Sequence, residues 1–381
     1  MEPSTKDQIL IDNNQIIPFN YQNKIAKCTA KIFLPDNGKG SGFFTKFKRN
    51  NKLFYCLLTN QHVIEPEMIV DGYEIIIKYD NESKELKIKL DKQERIILCL
   101  KKILKIDVTL IEIIPKDKID DSYFLIPKTI DSLSSLIGKN IQIIQYPLGG
   151  DLSFSIGKIK EVYNKNENYF FHDASTEAGS SGSPIAFEGE DKVFAIHKGA
   201  SKDSDSNVGI FIRNIIEMMK DYKKNGKYRE YYDNGNLKYE GNFKDDEYDD
   251  EDGKFIFENG NRYNGHFKNG KKHGAGSLFN NNNEFIKQCE YENDVEIIRE
   301  ANSNNDERDD EEENNGNNFL DFNDLLRQSL EIFKPVGDIA GVKCTRCRHE
   351  IKFHSIIVSG KYKCEKCPED SNICIFKFKK N

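Results

Sequence analysis

Between about Ala26 and Met219, apolar residues come in short runs separated by turn residues. The runs include Ala30–Leu34, Ser41–Phe47, Leu53–Thr59, Tyr73–Tyr79, Val108–Ile114, Ile141–Tyr146 and Val193–His197. Some alternate apolar with polar, as in Leu86-Lys87-Ile88-Lys89-Leu90. Period-two alternation without long helical periods predicts many short strands, hence an all-β barrel or sandwich. A helical stretch, Ile212–Tyr222, closes this region. The rhythm then changes. Tyr239-Glu-Gly241-Asn-Phe243 recurs as Tyr263-Asn-Gly265-His-Phe267, a period of 24. Asn259-Gly260 and Asn269-Gly270 mark turns, Gly235 and Gly274-Ala-Gly276 fit the same spacing, and a weaker unit begins near Phe285. A short period with an aromatic, a glycine and an Asn-Gly turn predicts β-hairpins that must stack to bury their faces. Further on, Phe322, Leu326, Leu330 and Phe333 lie at helical spacing ahead of Pro335, which predicts an amphipathic helix over 319–335.

A chain of 381 residues is too long for one ordinary domain. The expected division is a polar arm at 1–24, a β domain at 25–222, hairpin repeats at 223–298, a linker at 299–318, the helix at 319–335 and a cysteine-bearing module at 338–381. The longest apolar runs, such as Ile96–Leu100, are too short to span a bilayer. The polar stretch Met1–Leu10 leads to the expectation that no secretory signal is present. The net charge of −7 is unevenly placed. Residues 245–252 carry seven acids, and 301–318 carry seven more against Arg308 alone. The second tract has almost no apolar content, so it reads as a disordered linker. Residues 1–222 are near neutral, with 30 basic and 31 acidic residues. Of nine cysteines, four form two CxxC pairs and five stand alone (Cys28, Cys56, Cys99, Cys289, Cys374). That is not a disulfide framework, and the expectation is a reducing setting, cytoplasmic or nuclear.

Three segments of the β region carry chemistry: Leu58-Thr-Asn-Gln-His62, Ile106-Asp107-Val108 and Gly179-Ser-Ser181-Gly182-Ser-Pro184. A serine hydroxyl is a poor nucleophile until a base takes its proton, and histidine suits that task near neutral pH. A carboxylate fixes the imidazole tautomer and stabilises the imidazolium. Glycines permit a tight turn whose N–H groups face the reacting carbonyl. Ser181 is therefore the candidate nucleophile, His62 the base and Asp107 its orienter. The N–H groups of Gly179 and Ser181 are the candidate oxyanion hole.

On these segments, residues 25–222 resemble the trypsin-like (chymotrypsin-fold) serine peptidases, most closely the branch that includes the glutamyl endopeptidases. Gly40-Ser-Gly-Phe-Phe44, Gln145-Tyr-Pro-Leu-Gly149, Asp173-Ala-Ser-Thr176 and Phe194-Ala-Ile-His-Lys-Gly199 support the likeness. The resemblance implies two perpendicular six-stranded barrels with the triad in the cleft between them, and endopeptidase activity through an acyl-enzyme. It places Ser175 and Thr176 in the pocket for the P1 side chain. His197 matches the histidine that glutamyl endopeptidases set beside an acidic P1 residue, so an acidic or polar P1 preference is expected. Two positions depart from secreted trypsins: Val63 follows the histidine where they have Cys, and Ser180 precedes the nucleophile where they have Asp. Activation by N-terminal cleavage is therefore not expected.

Cys344-Thr-Arg-Cys347 and Cys364-Glu-Lys-Cys367 are separated by 16 residues. Two such pairs provide four thiolates for a tetrahedral structural zinc with no open position. The segment Lys361–Cys374 faintly resembles a ZZ-type finger. Lysines and arginines around it permit a nucleic-acid partner, but no stacking platform accompanies them, so a solvated face is favoured. The hairpin units resemble MORN repeats through Tyr239, Gly241, Phe243, Tyr263, Gly265 and Phe267. That resemblance implies scaffolding, dimerisation or contact with phosphoinositide membranes. Lys268, Lys271 and Lys272 suit lipid phosphates, whereas the acidic run at 245–252 opposes an anionic surface, so protein partners are favoured. Two classes remain: a peptidase acting on protein or peptide, and an inactive peptidase-like scaffold.

Overall fold

The computed structural model describes residues 20–70, 72–130, 132–163, 168–201 and 204–298, with three short strands at 342–344, 350–351 and 376–377. The chain divides into two units, residues 1–300 and 301–381. The arm up to residue 19, the linker at 299–318, the helix at 319–335 and the thiols of Cys344, Cys347, Cys364 and Cys367 lie outside the described residues.

The first unit opens on helix α1 (Asn20–Cys28), which crosses the boundary expected at 24/25. Ile25 and Cys28, three residues apart, bury one face of it in the core. Seven antiparallel strands follow: β1 (Thr29–Phe33), β2 (Lys39–Arg49), β3 (Lys52–Thr59), β4 (Glu74–Tyr79), β5 (Lys84–Lys89), β6 (Ile97–Cys99) and β7 (Thr109–Glu112). Their order is β5-β4-β1-β2-β3-β7-β6. The β2–β3 turn puts Asn50 and Asn51 at φ 49° and 60°, the left-handed conformation that asparagine tolerates in tight hairpins. Alternation sends Phe43 and Phe44 to opposite faces. Phe44 enters the interior of this sheet with Leu57, Ile75, Ile77 and Ile111. Phe43 joins a core shared with the next domain.

The second set is β8 (Asn140–Gln145), β9 (Ser153–Val162), β10 (Tyr169–His172), β11 (Pro184–Phe187), β12 (Val193–Ala200) and β13 (Asn207–Phe211). These six strands close into a barrel. Phe170, Phe194 and Phe211 fill it. Gly209 lies under the Phe170 ring, where a Cβ would come within 2.2 Å of it. Helix α2 (Arg213–Asp221) then drives Ile215 and Met219 into the shared core. The expectation of two six-stranded barrels is thus met by the second set only. The first is a seven-stranded sheet whose ladder does not join β5 to β6. Two features account for this: β6 is only three residues long, and β5 presents Lys84, Glu85, Lys87 and Lys89 outward as a charged edge.

The rest of this unit is an antiparallel sheet in the order β14 (Gly226–Tyr231), β15 (Leu237–Lys244), β17 (Asp250–Ile256), β18 (Arg262–Lys268), β19 (Lys271–Phe279), β20 (Phe285–Glu292) and β21 (Val295–Glu296). Short β16 (Glu247–Tyr248) pairs with β15. The repeated aromatics make its core: Tyr239, Phe243, Tyr263, Phe267 and Tyr291. The repeated glycines make room for the tyrosines: a Cβ on Gly241 would lie 2.5 Å from the Tyr239 hydroxyl and one on Gly265 2.6 Å from the Tyr263 hydroxyl. In the weaker unit Cys289 takes the glycine position, one repeat after Gly265, and Tyr291 stands where Phe267 does. The acidic run is partly built into this sheet: Asp246 accepts from Arg49 at 2.6 Å and from the Lys224 N–H at 2.8 Å.

In the second unit, β22 (Val342–Cys344) lies between β23 (Glu350–Ile351) and β24 (Phe376–Lys377), antiparallel to both. No described helix is long and apolar enough to cross a membrane.

Candidate active site

His62 sits in the turn that ends β3. The N–H groups of Val63 and Ile64 both return to the Asn60 carbonyl, at 3.1 and 3.2 Å. Val63 and Ile64 are buried, which pins the turn, and the His62 side chain is left 46% exposed. Asp107 lies two residues before β7, held between the fully buried Ile106 and Val108. Its Oδ2 lies 2.8 Å from His62 Nδ1, and its Oδ1 accepts the His62 N–H at 3.1 Å. Burial works against the Asp107 carboxylate. Hydrogen bonds and charge from His62, with the Lys198 ammonium adding, hold it below the ordinary value all the same.

Ser181 lies in the turn before β11. Gly179 and Gly182 have φ of 88° and 95°. A Cβ on Gly182 would meet the Ser41 carbonyl oxygen at 1.9 Å, so only glycine fits. The turn is bonded to the first sheet by Ser41, whose N–H donates to the Ser181 carbonyl at 2.9 Å and whose hydroxyl donates to the Gly179 carbonyl at 2.8 Å. It is bonded to its own barrel by Gly182 N–H to the His197 carbonyl at 2.9 Å. Among the described residues, the N–H groups of Gly179 and Ser181 donate to no protein acceptor. The Ser181 hydroxyl donates to the Lys198 carbonyl at 3.1 Å, and no hydrogen bond joins it to His62. Lys198 can offer that carbonyl because the β12–β13 register shifts between His197 and Gly199, leaving it outside the ladder.

Residues 40–196 match the family model of the trypsin-like peptidase domain. No curated protein matches the chain. Among solved structures, the chain is similar to the Rv3671c protease in its inactive form, at 15% identity and a TM-score of 0.36, covering 53% of this chain and 93% of that one. A variant of Rv3671c from M. tuberculosis H37Rv, also in the inactive form, gives 17% identity and a TM-score of 0.36, with 55% and 94% covered. The serine endoprotease from Yersinia pestis gives 16% and 0.40, with 56% and 73% covered.

In the closed barrel, His197 is buried and its Nδ1 lies 3.4 Å from Nε2 of His172, which is also buried. Burial lowers His172 to about 4. Burial, with His172 and His62 adding to it, lowers His197 to about 3. Both rings are therefore neutral at physiological pH. Ser175 is exposed and Thr176 half-buried, and no hydrogen bond links either hydroxyl to His197. An open polar depression of about 1210 Å³ on the second barrel, lined by Lys139, Lys158 and Asp173 among others, contains none of His62, Asp107 and Ser181.

Several residues that sequence reasoning passed over support the site. Asn60 is fully buried and donates to the Asp107 carbonyl at 2.8 Å. Thr59 donates to the Ser41 carbonyl at 2.7 Å. From the second barrel, Asn168 donates to the Leu104 carbonyl at 3.2 Å and Tyr169 to the Lys105 carbonyl, steadying the stretch that leads into Asp107. Asn60 adjoins the histidine motif and was visible as a polar residue ending an apolar strand. Asn168 and Tyr169 carry no local signal, since their partners lie more than 60 positions away. Among the described residues, no group of three or more His, Cys, Asp or Glu is placed to hold a metal.

Proposed function

We propose that the chain is a serine endopeptidase in which Ser181 attacks the peptide carbonyl. His62 takes the hydroxyl proton and passes it to the departing amine, and Asp107 holds the imidazole. Water then attacks the acyl-enzyme with His62 again as base, releasing the acid and restoring the serine. The N–H groups of Gly179 and Ser181 receive the oxyanion. The observation that carries this reading is the 2.8 Å bond between His62 Nδ1 and Asp107, which directs the other ring nitrogen away from the carboxylate. For attack, the Ser181 hydroxyl turns from the Lys198 carbonyl to His62, a side-chain rotation of the picosecond-to-nanosecond kind.

Ser175, Thr176 and His197 form the proposed P1 pocket, with a preference for acidic or polar side chains. A neutral His197 contributes a hydrogen bond, and a carboxylate beside it would raise its proton affinity. The hairpin sheet is proposed as a MORN-type surface for protein partners, with a phosphoinositide membrane as the weaker option. The four thiols of Cys344, Cys347, Cys364 and Cys367 are a donor set suited to one structural zinc. The setting proposed is cytoplasmic.

The decisive test is labelling of the full chain by a fluorophosphonate, which reports an activated serine without requiring a known substrate. Native protein is expected to label and Ser181→Ala not to, with casein cleavage lost in the same variant. A second reading, an inactive peptidase-like scaffold, draws on the Ser181–Lys198 bond. Absence of labelling in folded native protein would establish it.

A further inference from the structure

The outer face of the first sheet carries an arrangement that the proposed chemistry does not use. Strand β1 pairs with β2 and β4 so that Lys31 lies opposite Ser41 on one side and opposite Lys78 on the other. Ser41 is the residue bonded to the Ser181 turn. A row therefore runs from that turn through Ser41 and Lys31 to Lys78, in interstrand steps of about 4.8 Å. The next row on the same face holds Lys39, Phe33 and Ile76. The ammonium groups of Lys31, Lys39 and Lys78 stand 5.5, 5.8 and 5.5 Å from the centre of the Phe33 ring.

Like charges directly opposite each other on neighbouring strands are unfavourable. Lys31 is relieved: it bonds Glu82 at 3.0 Å and the Gly150 carbonyl at 2.9 Å. Among the described residues, Lys39 and Lys78 have no ion-pair partner. Two carboxylates share this face on the far side: Glu85 stands opposite Lys78 on β5, with no ion pair to it among the described residues, and Glu74 lies four residues from Lys78, about 13 Å along the strand. Asp36, in the β1–β2 turn, is engaged by the Gly38 N–H at 3.0 Å. The shelf is bounded on the cleft side by the Pro147–Gly149 turn, where Lys39 lies so close to Gly149 that a Cβ there would be 2.5 Å from its side chain.

The position relative to Ser181 gives the shelf a direction. Ser181 is bonded through its hydroxyl to Lys198, next to His197, and through its carbonyl to Ser41. A peptide that crosses Ser181 with its P1 side chain toward Thr176 and His197 departs on the Ser41 side. We propose that Lys39 and Lys78 form a subsite for acidic side chains on the leaving-group side of the scissile bond. This rests on the peptidase reading. Its ligand is the carboxylate of a substrate Asp or Glu a few residues beyond the cleaved bond. Exposed Lys39 and half-buried Lys78 attract it electrostatically, and Lys31, already paired, lends the backing charge.

The test uses the full chain and a peptide library analysed by mass spectrometry, with matched peptides that carry Glu, Gln or Lys at the second and third positions after the cleaved bond. The expected result is a kcat/KM higher by about two- to fivefold for Glu over Lys, within the range of exposed charge pairs. The preference should reverse in a Lys39→Glu, Lys78→Glu double variant and vanish in the corresponding Gln double variant. It should also shrink as ionic strength approaches 1 M, where the screening length is about 3 Å. Fluorophosphonate labelling of each variant at the native rate shows that the fold and the serine are intact. If labelling is native-like but the Glu-to-Lys ratio is flat, or the same in all variants, the subsite is wrong and the peptidase reading stands. If native protein neither labels nor cleaves, both fall together.

Discussion

At the scale of single residues, the candidate site depends most on positions that do no chemistry. Gly182 is the sharpest case. Its φ of 95° is one that L side chains rarely adopt, and the Ser41 carbonyl occupies the place a Cβ would need. Gly182→Ala is expected to cost roughly 3 kcal/mol or more through strain and displacement of the β2 backbone. Urea unfolding would measure it, and a midpoint within error of native would show that the turn does not have this conformation in solution. The candidate site residues were readable from local motifs, because His62 follows an apolar strand, Asp107 precedes one and Ser181 sits between glycines. The positions that hold them were not. Asn168 reaches Leu104 and Lys198 reaches Ser181 across 64 and 17 residues, and no local pattern encodes such contacts.

At the scale of elements, strand positions followed from alternation, as β4 illustrates with buried Ile75, Ile77 and Tyr79. What alternation does not carry is whether a sheet closes, since that depends on the length and register of strands far apart in sequence. The closed barrel has a further consequence. β10 and β12 bring His172 and His197 together in its interior, where burial holds them at about 4 and about 3. Unfolded histidine titrates near 6.5. As pH falls below that value the unfolded chain takes up protons that the folded barrel refuses, so stability is fully present above about 6.5 and declines as pH drops toward 4. The slope is at most about 1.4 kcal/mol per pH unit for each histidine. Asp107, whose carboxyl is held low, acts only below this window. Urea midpoints between pH 7 and pH 5 should fall less steeply in His172→Phe than in native protein. Parallel curves would mean that the ring is hydrated and titrates normally.

At the scale of the whole first unit, the hairpin sheet is not a tethered appendage. Asp246, between β15 and β16, receives Arg49 and Asn50 from the tip of the β2–β3 hairpin and the N–H of Lys224 from the segment after α2. Arg229 of β14 reaches Asp91 at 3.1 Å, and its N–H donates to the Gln93 carbonyl at 2.6 Å. Tyr231 donates to Glu94 at 2.9 Å, beside the almost fully buried Arg95–Asp117 pair. These groups lose their water in the assembled unit, so separating the sheet from the first domain would leave Arg49 and Glu94 without their bonds to it. Removing one member of such a desolvated set costs more than a surface ion pair is worth. Asp246→Ala is expected to lower stability by about 2 kcal/mol, because Arg49 and the Lys224 N–H lose an acceptor together. Deleting residues 226–296 should lower the melting temperature of the part that remains, residues 20–222. Calorimetry of a chain ending at residue 298 should show one transition in which calorimetric and van't Hoff enthalpies agree, as cooperative unfolding requires. Two resolved transitions, with that of residues 20–222 unmoved by the deletion, would make the sheet an independent module and remove the coupling argued from Asp246, Arg229 and Tyr231.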